Sequence, residues 1–164
     1  MRHTETALKW VVNILRDLKI PFEIDGGLAA EAYGSKRELA DIDINVPQED
    51  FDKIVPQVKE YLKFGPGWYK DEHWRLYMVT IKYAGQNIDI SALGKIHFYD
   101  KDNEKWEDFP SDMSGTRIMN WLGLDLPFVN EIKLMIYKQK LGRGVDRKDV
   151  QAMTDRLKKG WRKD

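Results

Sequence analysis

Ile24-Asp25-Gly26-Gly27-Leu28-Ala29-Ala30-Glu31-Ala32-Tyr33-Gly34-Ser35-Lys36-Arg37-Glu38-Leu39-Ala40-Asp41-Ile42-Asp43-Ile44-Asn45-Val46-Pro47 is the stretch on which the reading of this chain turns. Phe22 and Ile24 read as a short strand, and Gly26-Gly27 as a turn using backbone angles closed to other residues, where amides could approach a phosphate. Leu28 to Tyr33 has helical composition directly after the glycines, so its unpaired N-terminal amides would favour negative charge at the same turn. From Asp41 to Val46, polar and apolar residues alternate at the strand period. Ile42, Ile44 and Val46 therefore share one face, and Asp41, Asp43 and Asn45 the other. Two carboxylates on one strand face repel each other, an arrangement that makes sense around a divalent ion with hard oxygen ligands.

Alone, a Gly-Gly turn is usually only a turn, and an Asp-x-Asp pair only a solvated strand face. Strand, Gly-Gly, helix, basic loop and Asp-Ile-Asp strand in that order form a rarer combination. The pattern Ile24-Asp25-Gly26-Gly27 with Ala40-Asp41-Ile42-Asp43-Ile44 resembles the signature of the DNA polymerase β-type nucleotidyltransferase superfamily. Within it, the small lincosamide and aminoglycoside nucleotidyltransferases are most similar. The resemblance implies transfer of a nucleotide monophosphate from a Mg-bound triphosphate to a hydroxyl group, and a third acidic residue on a later strand.

Asp89 is the candidate for that residue. Trp74 to Tyr83 and Asn87 to Leu93 read as a β-hairpin about Gly85-Gln86, and in Asn87-Ile88-Asp89-Ile90-Ser91 the aspartate faces away from both isoleucines. If this strand lies beside the Asp-Ile-Asp strand, three carboxylates converge. Asp41, Asp43 and Asp89 are then the expected ligands of one or two Mg²⁺ ions, with Mn²⁺ as a substitute, and Asp89 the expected general base. Gly26, Gly27, Ser35, Lys36 and Arg37 are expected to anchor the β- and γ-phosphates, with Lys133 and Lys148 reaching the triphosphate, although loop and helix lysines are commonly just solvated.

With 164 residues, 42% apolar content and six tryptophans the chain can bury a proper core. It has 33% charged residues, no long apolar run and no secretory pattern at Met1 to Glu5, so a soluble cytoplasmic protein with no membrane partner is expected. The absence of cysteine excludes zinc–thiolate sites, disulfides and thiol nucleophiles. His3, His73 and His97 have no spacing for a shared metal, and no Gly-x-Ser-x-Gly motif is present. Formal net charge is zero, but Lys133 to Asp164 carries eleven Lys or Arg against four Asp, suiting a triphosphate, an RNA end or a plain solvated helix face.

The remaining pattern gives helices from Thr4, as cap, to about Lys19, from Pro47 through Leu62 with Pro56 kinking it, from Asn130 to about Leu141, and from near Asp146. Ile132, Met135, Ile136 and Lys140 mark the turns of the third, and Asp146 and Asp149 have capping-box spacing before the stripe Val150, Met153 and Leu157. Gly65-Pro66-Gly67 reads as a turn, Ile96 to Phe109 as two short strands about a turn, and Thr116 to Trp121 as a strand.

The expectation is an α/β (α+β) protein of nucleotidyltransferase fold: a mixed twisted sheet flanked by helices, with a catalytic core over residues 1–128 and a C-terminal helical pair over 129–164. By resemblance, AMP from ATP would pass to a hydroxyl of a small antibiotic-like acceptor, releasing pyrophosphate. A tRNA end or a protein side chain, as in toxin-type members, is the second acceptor class, and a non-catalytic nucleotide-binding module the rival from another class. Acceptor binding between two subunits, and hence a homodimer, is implied by resemblance only. Trp68, Trp74 and Trp121 could stack on an acceptor or base, with burial in the core the commoner fate.

Overall fold

In the computed structural model, residues 2–161 are described. The order is α1 (Thr4–Asp17), β1 (Glu23–Asp25), α2 (Gly26–Ala32), β2 (Asp41–Pro47), α3 (Phe51–Val58), β3 (Leu62–Lys70), β4 (Trp74–Tyr83), β5 (Gln86–Asp100), β6 (Lys105–Asp108), β7 (Arg117–Trp121), β8 (Leu124–Phe128), α4 (Glu131–Leu141) and α5 (Gly144–Trp161). The strands form one mixed sheet ordered β3-β4-β5-β2-β1-β8-β7, with β6 on the far end of β5. β2 and β5 run parallel, as do β1 and β8, while β1 is antiparallel to β2.

Alternation along the central strands sorts the side chains. Ile24, Ile42, Ile44, Ile88 and Ile90 are fully buried and join the apolar faces of α1 (Leu8, Val11, Leu15) and α3 (Ile54, Val58) in one core. The opposite face carries Asp25, Asp41, Asp43, Asn45, Asp89 and Ser91, and α4 reaches it through Tyr137, whose hydroxyl donates to Asp25 Oδ1 at 2.7 Å. Among the described residues, no helix is long and apolar enough to cross a membrane.

Several boundaries differ from the sequence expectation. Thr4 does not cap α1; its Oγ1 donates to Gln86 Oε1 at 2.6 Å, and His3 holds the N-cap position without a side-chain bond. Gly65-Pro66-Gly67 is not a turn between elements but an irregularity inside β3, where the register slips between Phe64 and Gly67; an edge strand tolerates a residue without an N–H. Asn130 caps α4 as expected, accepting from Lys133 N at 3.1 Å. Ile132 and Ile136, however, face outward, and the buried face is Leu134, Tyr137, Lys138 and Leu141. The capping box of α5 sits three residues earlier: Asp146 Oδ2 accepts from the backbone N–H of Arg143, and the first helical bond runs from Arg147 to the Arg143 carbonyl.

Candidate active site

The register of the sheet places the acidic residues in a row. Asp25 on β1 is opposite Asp43 on β2, Asp43 is opposite Asp89 on β5, and Asp89 is opposite Thr80 on β4. Neighbouring strands lie about 4.8 Å apart, so these side chains are direct neighbours on one face. Asp41 stands two residues from Asp43 on the same face, beside Asn87. A cavity of about 610 Å³ opens onto the row, lined by Asp25, Asp41, Asp43, Asp89 and Thr80 together with residues of the loop before β2, of β3 and of α4.

Gly26 and Gly27 are required by the acids and bases around them. Gly26 has φ +60, and a Cβ there would lie 2.0 Å from Asp43 Oδ2. At Gly27 a Cβ would lie 2.8 Å from Arg37 Nη2. The paired glycine and the Asp-Ile-Asp strand are thus two halves of one packing arrangement. The two glycines are not a turn before the helix but its first two residues, with Asp25 as N-cap; the Gly26 N–H is already taken by Asp25 Oδ1 at 2.8 Å, so a ligand finds fewer free amides there than the sequence suggests.

Electrostatically the row is uncompensated. Burial, followed by the charges of Asp89, Asp25 and Asp41, pushes the Asp43 carboxyl well above the usual range, and Lys138 only partly offsets this. Burial also raises Asp89 to about 6, against the Thr80 Oγ1 bond to its Oδ1 at 2.7 Å. Among the described residues, no Lys or Arg forms an ion pair with Asp41, Asp43 or Asp89. The cations of the cavity wall go elsewhere. Arg37 forks onto Asp149 (Nε–Oδ1 2.8 Å, Nη2–Oδ2 3.0 Å), Lys138 lies between Asp149 (3.1 Å) and Asp146 (3.4 Å), and Arg143 pairs with Asp146 at 2.6 Å.

Asp146 and Asp149 are fully buried and Lys138 is nearly so, so this chain of charges is a buried network tying α5 to α4 and to the loop before β2. Burial alone would raise the Asp149 carboxyl, but the bonds from Arg37 and Ser35 and the Lys138 charge outweigh it and hold it below the usual range.

Asp41, Asp43, Asp89, Gly26, Gly27 and Arg37 all line the cavity. Ser35, Lys36, Lys133 and Lys148 do not. Ser35 Oγ is buried and donates to Asp149 Oδ1 at 2.7 Å, whereas Lys36 and Lys148 are exposed. Lys133 Nζ is held by Asp112 Oδ1 at 2.8 Å and by Ser114, which keeps the Asp112 carboxyl down at about 2. On α4 the residues facing the cavity are Tyr137 and Lys138, roughly a helical turn beyond Lys133. On α5, Lys148 lies about 100° around the helix from Asp149.

Sequence reasoning missed Lys138, Arg143, Asp25 and the buried role of Asp146 and Asp149. A signal was present for the last pair, which continues the stripe Val150, Met153 at helical spacing. Of the tryptophans, Trp74 lines the cavity and packs edge-on to Tyr137, Trp68 stacks on His97, and Trp121 packs against the core.

The row has the donors a hard divalent cation takes: three oxygen-only carboxylates on two adjacent parallel strands, mutually repelling and unpaired. Among the described residues, no three His, Asp or Glu side chains are closed into a ready coordination cage.

No family model and no curated protein sequence matches this chain. Solved structures do. A presumed nucleotidyltransferase from Thermotoga maritima is 21% identical, covering 94% of this chain and 96% of its own, with a TM-score of 0.70. The lincosamide antibiotic adenylyltransferase LnuA, solved with lincomycin bound, is 16% identical over 94% of this chain and 98% of its own, with a TM-score of 0.62. ANT(2″)-Ia, solved with adenylyl-2″-tobramycin, is 13% identical over 94% and 89%, with a TM-score of 0.61. This chain has the nucleotidyltransferase fold, a mixed sheet with flanking helices shared over nearly its whole length with these proteins.

Proposed function

We propose that the chain is an enzyme that transfers a nucleotide monophosphate, AMP from ATP in the first instance, to a hydroxyl group of a small molecule and releases pyrophosphate. The observation that carries this reading is the row of carboxylates, free of ion pairs among the described residues, in a cavity also lined by Arg37, Lys138 and Arg143. The antibiotic adenylyltransferases among the structural neighbours support a small antibiotic-like acceptor.

Asp41, Asp43 and Asp89 would hold Mg²⁺, which when bound neutralises triphosphate charge and eases ionisation of the acceptor hydroxyl. Asp89, at the β4 side of the row, would take the proton of the incoming hydroxyl on Oδ2, since Thr80 holds its Oδ1. The hydroxyl oxygen bonds to the α-phosphorus as the bond to the β-phosphate oxygen breaks, and pyrophosphate departs. Arg37 and Arg143, largely buried and oriented by Asp149 and Asp146, would receive its charge.

Pyrophosphate release from triphosphates with Mg²⁺ and an acceptor panel tests this. Asp43→Asn is expected to lower release by at least about 100-fold. Release unaffected by that substitution contradicts the carboxylate mechanism, and nucleotide binding without release for any acceptor favours a binding module.

A further inference from the structure

Resting on the nucleotidyl-transfer reading, we infer that the acceptor is a hydroxyl-bearing small molecule with an uncharged apolar or aromatic body, bound against β3 and β4, and not a polycation. Thr80 bonds to Asp89, and from there Met78, Leu76 and Trp74 continue outward along the same face of β4 into the cavity. Phe64 and Tyr69 of β3 and Ile96 of β5 complete this wall. The apolar surface therefore begins beside the carboxylate that takes the acceptor proton, where the acceptor has to lie.

The ring side chains at its rim are not core residues. Phe64 is 40% and Tyr69 41% exposed, large apolar surface kept in contact with solvent at a cavity mouth. They meet edge to face at 6.3 Å, forming an angled aromatic corner that an apolar body would cover.

Charge on this wall argues in the same direction. Its one acid, Asp71, is held by neutral donors: Oδ1 accepts from the His73 and Trp74 amides at 2.8 and 2.7 Å, and Oδ2 from the Tyr69 hydroxyl at 2.8 Å. Asp25 likewise takes bonds from Gly26, Asn45 and Tyr137. Asp71 is thus the one acid that the wall formed by β3 and β4 offers to the several ammonium groups of a polyamine. Of the basic residues of the lining, Arg37 comes from the loop before β2, Lys138 from α4, and Arg143, just after α4, lies over the Trp74 ring at 5.9 Å; β3 and β4 themselves contribute no lysine or arginine to the lining.

Three probes sharing hydroxyls but not bodies separate the classes: 4-methylumbelliferyl β-D-glucoside, methyl β-D-glucoside and tobramycin. Each is titrated calorimetrically into the full chain with Mg²⁺ and a non-hydrolysable ATP analogue. The aryl glucoside is expected to bind at least about 10-fold more tightly than the other two. Phe64→Ser and Tyr69→Ser are each expected to reduce that preference several-fold while melting within a few degrees of the parent, because exposed rings contribute little to the core. Equal affinity for the two glucosides, tighter binding of tobramycin, or a preference surviving both substitutions overturns the inference. Analogue binding with no aryl preference removes the acceptor inference alone; failure to bind the analogue removes the nucleotidyl-transfer reading and the acceptor role with it.

Discussion

Adding one methyl group at Gly26 probes the link between the start of α2 and the acidic row. Gly26→Ala places a Cβ 2.0 Å from Asp43 Oδ2, 2.8 Å from its Cγ and 3.0 Å from its Cβ, at a residue with φ +60. The left-handed backbone costs an alanine about 1 kcal/mol. The clash forces the Asp43 carboxylate out of its rotamer against close-packed neighbours, at about 2 kcal/mol more. A destabilisation of about 3 kcal/mol follows, out of a stability that for such a domain is of order 5–15 kcal/mol. In an Asp43→Ala background the carboxylate is gone and only the tight Cβ contact and the backbone term remain, so the same substitution should cost about 1–2 kcal/mol. Urea unfolding of the four proteins of this cycle measures the coupling, expected at about 1–2 kcal/mol. Additivity within about 0.5 kcal/mol would refute the claim that Asp43 fills the space of the missing Cβ. Gly27→Ala is the contrast: its Cβ meets the far end of the flexible Arg37 side chain, which can move aside, so its cost should be the smaller.

Glu23 gives a pH test away from the metal-binding carboxylates. Burial, then the nearby Asp25 charge, raises its carboxyl to about 7, so its contribution to stability is fully present below about 4.5 and is lost as pH rises through about 7. Glu23→Gln keeps an acceptor for Asn45 and should gain up to about 3 kcal/mol over the parent at pH 8 and almost nothing at pH 4, by urea unfolding; parallel pH profiles would contradict this. Asp149→Asn weakens the fork to Arg37 and the Lys138 pair together, and should cost about 3 kcal/mol in unfolding measurements while raising the KM for triphosphate more than it lowers kcat for well-folded protein. Lys138→Met leaves Asp146 and Asp149 with their arginine partners, so its cost should be smaller than that of Asp149→Asn; the reverse order would show that the lysine, not the arginines, holds the network.

What the sequence made legible was governed by local periodicity. Alternation in Asp41 to Val46 and in Asn87 to Ser91 marked which residues face together, and the parallel pairing of β2 with β5 then put Asp43 beside Asp89. The hairpin of β4 and β5 was readable from its turn and its β-branched run. Lys138 was not readable, because a lysine between Tyr137 and Gln139 looks like any solvated helix residue; only the two buried aspartates from α5 make its burial tolerable. Ile132 and Ile136 misled in the opposite direction, since apolar character alone does not say which face of a short helix packs inward. β8 is short and contains Pro127, and owes its strand state to the hairpin with β7 and to the pairing of Phe128 with Ile24 of β1, a contact remote in sequence. Ser35 and Lys133 lie in segments that were correctly delimited, but their polar atoms are taken by Asp149, Asp112 and Ser114, partners that no spacing rule reveals.

The most direct measurement of the central claim follows the label of ATP carrying ³²P at either the α- or the γ-phosphate, with Mg²⁺ and an accepted hydroxyl compound. The α-label is expected in the acceptor and the γ-label in pyrophosphate, with both products lost in Asp43→Asn. Recovery of the γ-label in the acceptor, or an α-labelled adduct formed equally well by Asp43→Asn, would contradict it.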